Sequence, residues 1–322
     1  MQDTIQTGLS VRPAESHERL DPTSVQLPAF LMNAPFSYET GMANNPWMEE
    51  LADEDRTPNS AQAFKQFFEL YRFISSEALV YLLPTPREPA LQDLVFTANL
   101  GVVLEHMDRS TVVLSNFTSE PRREETAVGV PFFSSMGYET FVSPSGFEGD
   151  AELKHLHDNV YVGGYGIRSE RATYDWMERT FDMEIVMLEM EDPYLYHLDC
   201  SIFPVTREQT IVCTELYTKE EVAALEKQTE IIDVSADDAY SGICNSLRLG
   251  NVLLNSSHIH DLKAGTDDYR HEIKKNRRLE DIASELAFEV SYFNLSEYHK
   301  GGALLSCMVM HLNRHSFTYQ LA

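Results

Sequence analysis

The chain is 322 residues long, 43% hydrophobic, and carries 25 basic against 51 acidic side chains, a formal charge of −26. Such a field repels nucleic acid and anionic membranes, which need a basic footprint, and favours a cationic ligand, although acidity serves solubility as readily. It contains no apolar run of about 18 residues, and its polar start, MQDTIQTGLSVRPAESHERLD, lacks the basic opening and apolar stretch of a signal peptide; no membrane partner and a cytoplasmic location are expected.

Residues 1–26 read as a loose arm, and no linker rich in Pro, Gly and Ser divides residues 27–322. An apolar strand, PAFLMN, leads through a polar loop to a helix, AQAFKQFFELYRFI. Helical spacing puts Phe64, Phe67, Phe68, Tyr71 and Ile74 on one face. A strand, VYLLP, follows.

The remainder repeats with a period near 50 residues, each unit reading as two short strands, a helix and a strand. LVFTA and GVVLEHM precede TVVLSNF, the helix PRREETAVGVPFFSSM and the strand ETFVS. AELKHL and NVYVGG precede RATYDWMERTF and EIVMLEM. YHLDCSIFPV and TIVCTEL precede KEEVAALEKQ and EIIDVS. SGICNSLRL and NVLLNS precede a polar insertion, HEIKKNRRLEDIASEL and FEVSYF. The fifth unit, ALLSCMVMHL, runs out of chain, so the N-terminal elements are expected to complete it. A fixed period of this size argues for a closed ring, which also removes exposed sheet edges.

Polar residues keep the same step. Asn99, Glu148, His197 and Asn245 are separated by 49, 49 and 48 positions, and Cys307 follows 62 later, after the insertion. Equivalent positions in a radial repeat converge near the axis. Four cysteines, Cys200, Cys213, Cys244 and Cys307, form no CxxC pair, so the spacing of a structural zinc site is absent and no metal or cofactor is expected. Reduced thiols in a cytosolic chain are mostly core residues.

Cys307 lies behind the turn KGG in an apolar final strand, a setting in which a thiol is usually inert. In YHLDC, His197 and Asp199 lie two apart on a strand and so face the same way; the pair suits acid/base work or a satisfied core, and a metal less well, because the other histidines are scattered. In FEGDAEL, Glu148 and Asp150 flank Gly149, a site carboxylate or a surface loop. Arg168, at the glycine-rich turn of GGYGIRSER, and Arg122 and Arg123, at a helix start, suit either a ligand carboxylate or a solvated ion pair. Together, cysteine, histidine and carboxylate make a nucleophile, a base and an orienting group.

Those segments carry a resemblance. FLMNAPF, NPWM, LQDLVFTAN, PRREET, FEGDAEL, GGYGIRS, YHLDC and HKGGALLSC, spread over roughly residues 28–312, resemble the guanidine-modifying, or amidinotransferase, superfamily of arginine deiminases, dimethylarginine dimethylaminohydrolases, arginine dihydrolases and amidinotransferases. The resemblance implies an α+β chain folded as a five-bladed α/β propeller of ββαβ units, the pentein fold, in one catalytic domain over residues 27–322. It implies that Cys307 is the nucleophile, His197 the general acid/base, and Glu148 the carboxylate that holds both His197 and the guanidinium. Asp199 would bind guanidinium nitrogens with Asp93 as helper. Arg168 would grip the substrate's α-carboxylate, with Arg122, or Arg123, as a second clamp.

Asn99 departs from the aspartate that deiminases and dimethylarginine hydrolases carry there and resembles the dihydrolases. The expected reaction is therefore arginine to ornithine, carbon dioxide and two ammonia, by way of a covalent thiouronium. The alternatives are a deiminase or dimethylarginine hydrolase that stops at citrulline, and an inactive arginine-binding or scaffold protein. The expected partner is arginine or an N-substituted arginine; a homo-oligomer is left open. NNPWM and the insertion near His258–Asp268 are the candidate lids.

Overall fold

The computed structural model describes residues 26–318; the arm expected over residues 1–26 lies outside them except for its last residue. Among the described residues fifteen strands form five three-stranded sheets. In chain order the strands are β1 (Ala29–Met32), β2 (Leu79–Leu82), β3 (Gly101–Val103), β4 (Thr111–Leu114), β5 (Glu139–Val142), β6 (Leu153–His157), β7 (Val160–Tyr165), β8 (Glu184–Glu189), β9 (Ile202–Pro204), β10 (Gln209–Val212), β11 (Glu230–Asp233), β12 (Leu247–Leu249), β13 (Val252–Ser256), β14 (Glu289–Phe293) and β15 (Met310–His311).

All five sheets share one pattern. The middle strands β1, β4, β7, β10 and β13 each pair antiparallel on one side and parallel on the other. A parallel neighbour requires a crossover, and the helices Ser60–Glu77, Thr126–Met136, Arg171–Phe181, Lys219–Leu225 and Asp267–Glu285 supply one per sheet. The middle strands AFLM and TVVL are buried along their whole length, which is why they read as continuous apolar runs without alternation. Cores form between consecutive sheets, as where Val102 and Val113 meet Tyr161, Tyr174 and Phe181.

The two ends of the chain share a sheet, in the order β15-β1-β2. Phe30 lies opposite His311 and Leu31 opposite Met310. Asn313 fastens the junction: its Oδ1 accepts from the Ala29 N–H at 3.2 Å and its Nδ2 donates to the Leu27 carbonyl at 2.9 Å.

The structure corrects several sequence readings. LVFTA is not a strand, and the long strands expected in YHLDCSIFPV, SGICNSLRL and ALLSCMVMHL shrink to β9, β12 and β15. In three of these places a short 3-10 turn stands before or in place of the strand: Thr97–Asn99, Leu198–Cys200 and Ser306–Met308. Apolar side chains made these segments look extended, but their backbone N–H groups bond three residues back, as Cys200 does to His197 and Val309 to Ser306. On the helix Ser60–Glu77 the buried face is Ala63, Phe67, Leu70 and Ile74, whereas Phe68 is 44% exposed. Phe64 and Phe68 instead form an outer aromatic row with Phe36, whose ring lies 5.1 Å from that of Phe64.

Candidate active site

The turns that displaced the expected strands gather the polar residues. Glu148 immediately precedes the 3-10 turn Gly149–Ala151, which packs against the turn Thr97–Asn99. Gly149 makes that approach feasible. Its φ is +68°, and a Cβ there would stand 2.5 Å from the Ala98 carbonyl oxygen and 2.7 Å from the Gly101 nitrogen. Thr97 joins a third turn, Ser306–Met308: its hydroxyl lies 2.8 Å from the Leu31 carbonyl and 2.9 Å from that of Met308, its one proton shared between them.

On this frame Cys307, His197, Asn99, Asp93, Arg168 and Arg122 line one small cleft, with Asn44, Phe96, Tyr196, Gly301 and Ala303. His197 Nε2 donates to Glu148 Oε2 at 2.7 Å, because a carboxylate oxygen can only accept. Asn99 Nδ2 is 3.3 Å from the same nitrogen, a close contact and not a second hydrogen bond while the imidazole proton points at Glu148. Glu148 is fully buried; burial opposes its charge, but the His197 hydrogen bond and the Arg168 guanidinium, 3.5 Å away, hold its pKa down at about 2. Burial pulls His197 below the usual histidine value, against the pull of Glu148.

The Cys307 sulfur sits 3.5 Å from Asn245 Nδ2 and 3.7 Å from Asp199 Oδ2. Burial, and then the Asp199 charge, push the thiol up to about 12, so the unliganded site holds a neutral thiol. Asp199 also accepts from Ser306 Oγ at 2.6 Å. It lies beneath the cleft, touching the sulfur from below, and is not part of its wall. His197 and Asp199 were expected on a strand and are not: His197 immediately precedes the 3-10 turn Leu198–Cys200, and Asp199 lies within it. Cys307 likewise stands in a turn, before β15.

Asp93 accepts at Oδ2 from Asn44 Nδ2 at 2.7 Å and Gln92 Nε2 at 3.1 Å, while its buried Oδ1 has no hydrogen-bond partner among the described residues. An acceptor left open beside the cleft is a place for a ligand donor. Arg168 lies over the Tyr196 ring at 4.8 Å and donates to the Asn44 carbonyl at 2.5 Å. Arg122 reaches the cleft wall, but its guanidinium forms a forked pair with Glu125 at 2.8 and 2.9 Å and donates to the Asp93 and Phe96 carbonyls. It is built into the wall far more firmly than a loose clamp would be. Arg123 is exposed and lies outside the lining.

Asp150 turns away from the cleft, holding His311 Nδ1 at 2.8 Å and Arg314 Nη2 at 2.6 Å. Three residues that sequence reasoning left without a role join the site: Asn245, Asn44 and Tyr196. Asn245 kept the 48-residue step, and Asn44 opens the NNPWM motif, so both carried a signal; Tyr196 carried only its place beside His197. Of the candidate lids, NNPWM reaches the site: Asn45 Nδ2 donates to the Gly301 carbonyl at 3.1 Å, and Trp47 Nε1 to the Tyr194 carbonyl at 2.8 Å. The insertion near His258–Asp268 does not line the cleft; His258 stacks on His299 instead. Among the described residues no group of three or more His, Cys, Asp or Glu is arranged to hold a metal ion, and no helix is long and apolar enough to cross a membrane.

A family model described as N,N dimethylarginine dimethylhydrolase, eukaryotic, matches residues 33–314. The bifunctional arginine dihydrolase/ornithine cyclodeaminase AgrE of a Nostoc species is 26% identical over 290 residues, covering 87% of this chain and 37% of AgrE. ArgZ of a Synechocystis species, also a bifunctional arginine dihydrolase/ornithine cyclodeaminase, is 25% identical over 286 residues, again covering 87% of this chain and 37% of the relative. The chain thus spans little over a third of the length of these curated relatives. The crystal structure of the product-bound N-terminal domain of ArgZ, a cyanobacterial arginine dihydrolase, superposes with a TM-score of 0.76 at 25% identity, covering 88% of this chain and 97% of that domain.

Proposed function

Because the chain belongs to the N,N dimethylarginine dimethylhydrolase family, eukaryotic type, and is related to hydrolases acting on guanidino C–N bonds, we propose that it is a cysteine hydrolase of arginine, specifically a dihydrolase. In this reading residues 27–322 form one catalytic unit, and the five sheets are the blades of a closed α/β propeller. The observation that carries it is the Cys307 sulfur, 3.7 Å from Asp199 Oδ2, in the cleft that also holds the Glu148-bound His197.

Guanidinium is resonance-stabilised and its carbon is a poor electrophile. Carboxylates that pin its planar nitrogens orient the carbon toward the sulfur and favour the cation. The open Oδ1 of Asp93 suits that task, while Glu148, behind His197, and Asp199, beneath the sulfur, add negative charge around the cleft. Arg168 is the grip for the α-carboxylate; Arg122, tied to Glu125, shapes the wall beside it. The bound cation supplies what the free site lacks, since a positive charge beside Cys307 lowers a thiol pKa that burial has raised. As the sulfur attacks the guanidinium carbon, Cys307 gives its thiol proton to His197, which passes it to a terminal nitrogen; that C–N bond breaks and ammonia leaves. His197 then takes a proton from the water that attacks the thiouronium carbon, and the C–S bond breaks to free the sulfur. A second round on the retained ureido group releases the second ammonia and leaves a carbamate on the side-chain nitrogen, which loses carbon dioxide; overall arginine and two waters give ornithine, carbon dioxide and two ammonia.

Asn99 supports the second round. An aspartate there would favour the cationic guanidinium over the neutral ureido group; an amide beside His197, with a donor and an acceptor, suits the neutral group. The expected outcome is two ammonia and one ornithine per arginine, and diversion toward citrulline in Asn99→Asp, read by mass analysis of products. Unchanged ornithine output from Asn99→Asp rejects this role. The second reading, a single hydrolysis of an N-substituted arginine to citrulline, is favoured by the matched family model; it predicts one released amine per substrate and no ornithine.

A further inference from the structure

Asn245 has no part in the chemistry assigned above, yet it touches the atom on which that chemistry turns. It lies on the loop before β12, is 3% exposed, and stands behind the sulfur, outside the lining of the cleft. Asn255 of β13 fixes this loop: its Nδ2 donates to the Gly242 carbonyl and to Ser246 Oγ, both at 2.9 Å.

The hydrogen bonds leave the Asn245 amide one orientation. Its Oδ1 lies 2.9 Å from the backbone nitrogen of Ser306. A backbone N–H can only donate, so the atom facing it is the oxygen, and the amide cannot be turned over. Ser306 opens the turn Ser306–Met308, and Leu305 before it offers no side-chain cap. The Ser306 N–H is therefore one of the orphan donors that a helical start leaves, and Asn245 satisfies it from a different sheet. With Oδ1 held there, Nδ2 meets the Cys307 sulfur at 3.5 Å.

Asp199 and Asn245 both touch the sulfur, and they pull in opposite directions. Asp199 Oδ2, at 3.7 Å, accepts the thiol proton and repels the thiolate. Asn245 Nδ2 can only donate, and a donated hydrogen bond is stronger to an anion than to a neutral atom.

We infer that Asn245 is a catalytic residue: it is the hydrogen-bond donor that receives the Cys307 thiolate, aimed at the sulfur by the Ser306 N–H. This rests on the nucleophilic role given to Cys307 in the proposed function. As the thiol proton passes to His197, the Asp199 contact loses the hydrogen that made it favourable, whereas the Asn245 bond strengthens with no atom needing to move. The same donor receives the sulfur again when the C–S bond breaks. A donor fixed in place before charge develops costs no reorganisation at the moment of reaction.

The test compares full-length Asn245→Asp and Asn245→Ala with the wild type. Asp keeps an acceptor for the Ser306 N–H but loses the donor, since a carboxyl is more acidic than the thiol and ionises before it; Ala loses both. The first readout is alkylation of Cys307 by iodoacetamide at one fixed alkaline pH, followed by peptide mass analysis. Both variants react at least about ten-fold more slowly than wild type, Asp no faster than Ala. In turnover of arginine kcat falls at least about ten-fold, while KM moves less than about three-fold, because Asn245 does not line the cleft. The inference is overturned if Asp matches the wild type in alkylation while Ala is slow, which would leave Asn245 only a cap; if Ala is alkylated at the wild-type rate; or if KM rises with kcat unchanged. Should Ala fail to fold, Asp decides. A wild type inert toward arginine and its N-substituted forms would sink the proposed function, while the alkylation rates would still report on Asn245.

Discussion

At the scale of single residues, the site is a neutral thiol above a buried carboxylate, waiting for a cation. Burial and Asp199 raise the Cys307 thiol to about 12, whereas His197 and Arg168 hold Glu148 down at about 2, against burial. Two buried acids beside one cleft thus serve different ends: Glu148 is ionised and accepts from the imidazole, and Asp199 beneath the sulfur adds to burial in keeping the resting thiol protonated. The direction of the Cys307 shift has a consequence for reactivity. Only the thiolate reacts, and its population rises with pH until the pKa is passed. Alkylation of Cys307 by iodoacetamide in the unliganded protein, followed by peptide mass analysis, should therefore be slow at neutral pH and rise about ten-fold per pH unit, with no plateau below about pH 10. A plateau near neutrality would mean a resting thiolate.

At the scale of elements, the crossover helices and the middle strands were legible because their cues are strong: an apolar face at helical spacing, or an apolar run between turns. RATYDWMERTF, read as a helix, spans the observed helix Arg171–Phe181 end to end. The inner strands were misread for a physical reason. LVFTA and YHLDC have the composition of strands, but their backbone groups close on themselves in 3-10 turns, and it is these turns that turn Asn99, His197, Asp199 and Cys307 toward one another. Periodicity of hydrophobicity reports burial, and a buried turn looks like a buried strand. Asn99, Glu148, His197 and Asn245 share a common spacing, so their convergence was legible despite the error about local structure. Asp93 and Arg122 were visible as candidates, but which oxygen stays open and which guanidinium is already paired depends on packing that no motif encodes. Gly149 is the most sensitive point of this layer. Gly149→Ala combines a left-handed φ with a Cβ 2.5 Å from the Ala98 carbonyl, and it should cost at least about 2 kcal/mol of stability in urea unfolding and displace Glu148 from His197. A loss of under half that, with activity intact, would show the turn to be more compliant than its geometry implies.

At the scale of the whole molecule, one sheet is made from the first and last of the described strands, and Cys307 stands just ahead of the last. Asn313→Ala leaves the Ala29 N–H and the Leu27 carbonyl without their partner, and should lower unfolding free energy by about 1–3 kcal/mol; no change in the urea midpoint would mean that strand pairing alone holds the ends. The acidic balance of the chain, −26 overall, suits a cationic substrate. The central claim is that sulfur, imidazole and carboxylate from distant parts of the sequence act on one guanidinium carbon. It is tested most directly by mixing the protein with arginine, quenching rapidly with acid, and measuring the mass of the peptide that contains Cys307. The account predicts a covalent amidino-type adduct on that peptide in the wild type, and neither adduct nor turnover in Cys307→Ser. Wild-type turnover by Cys307→Ser, or an adduct on a different residue, would contradict it.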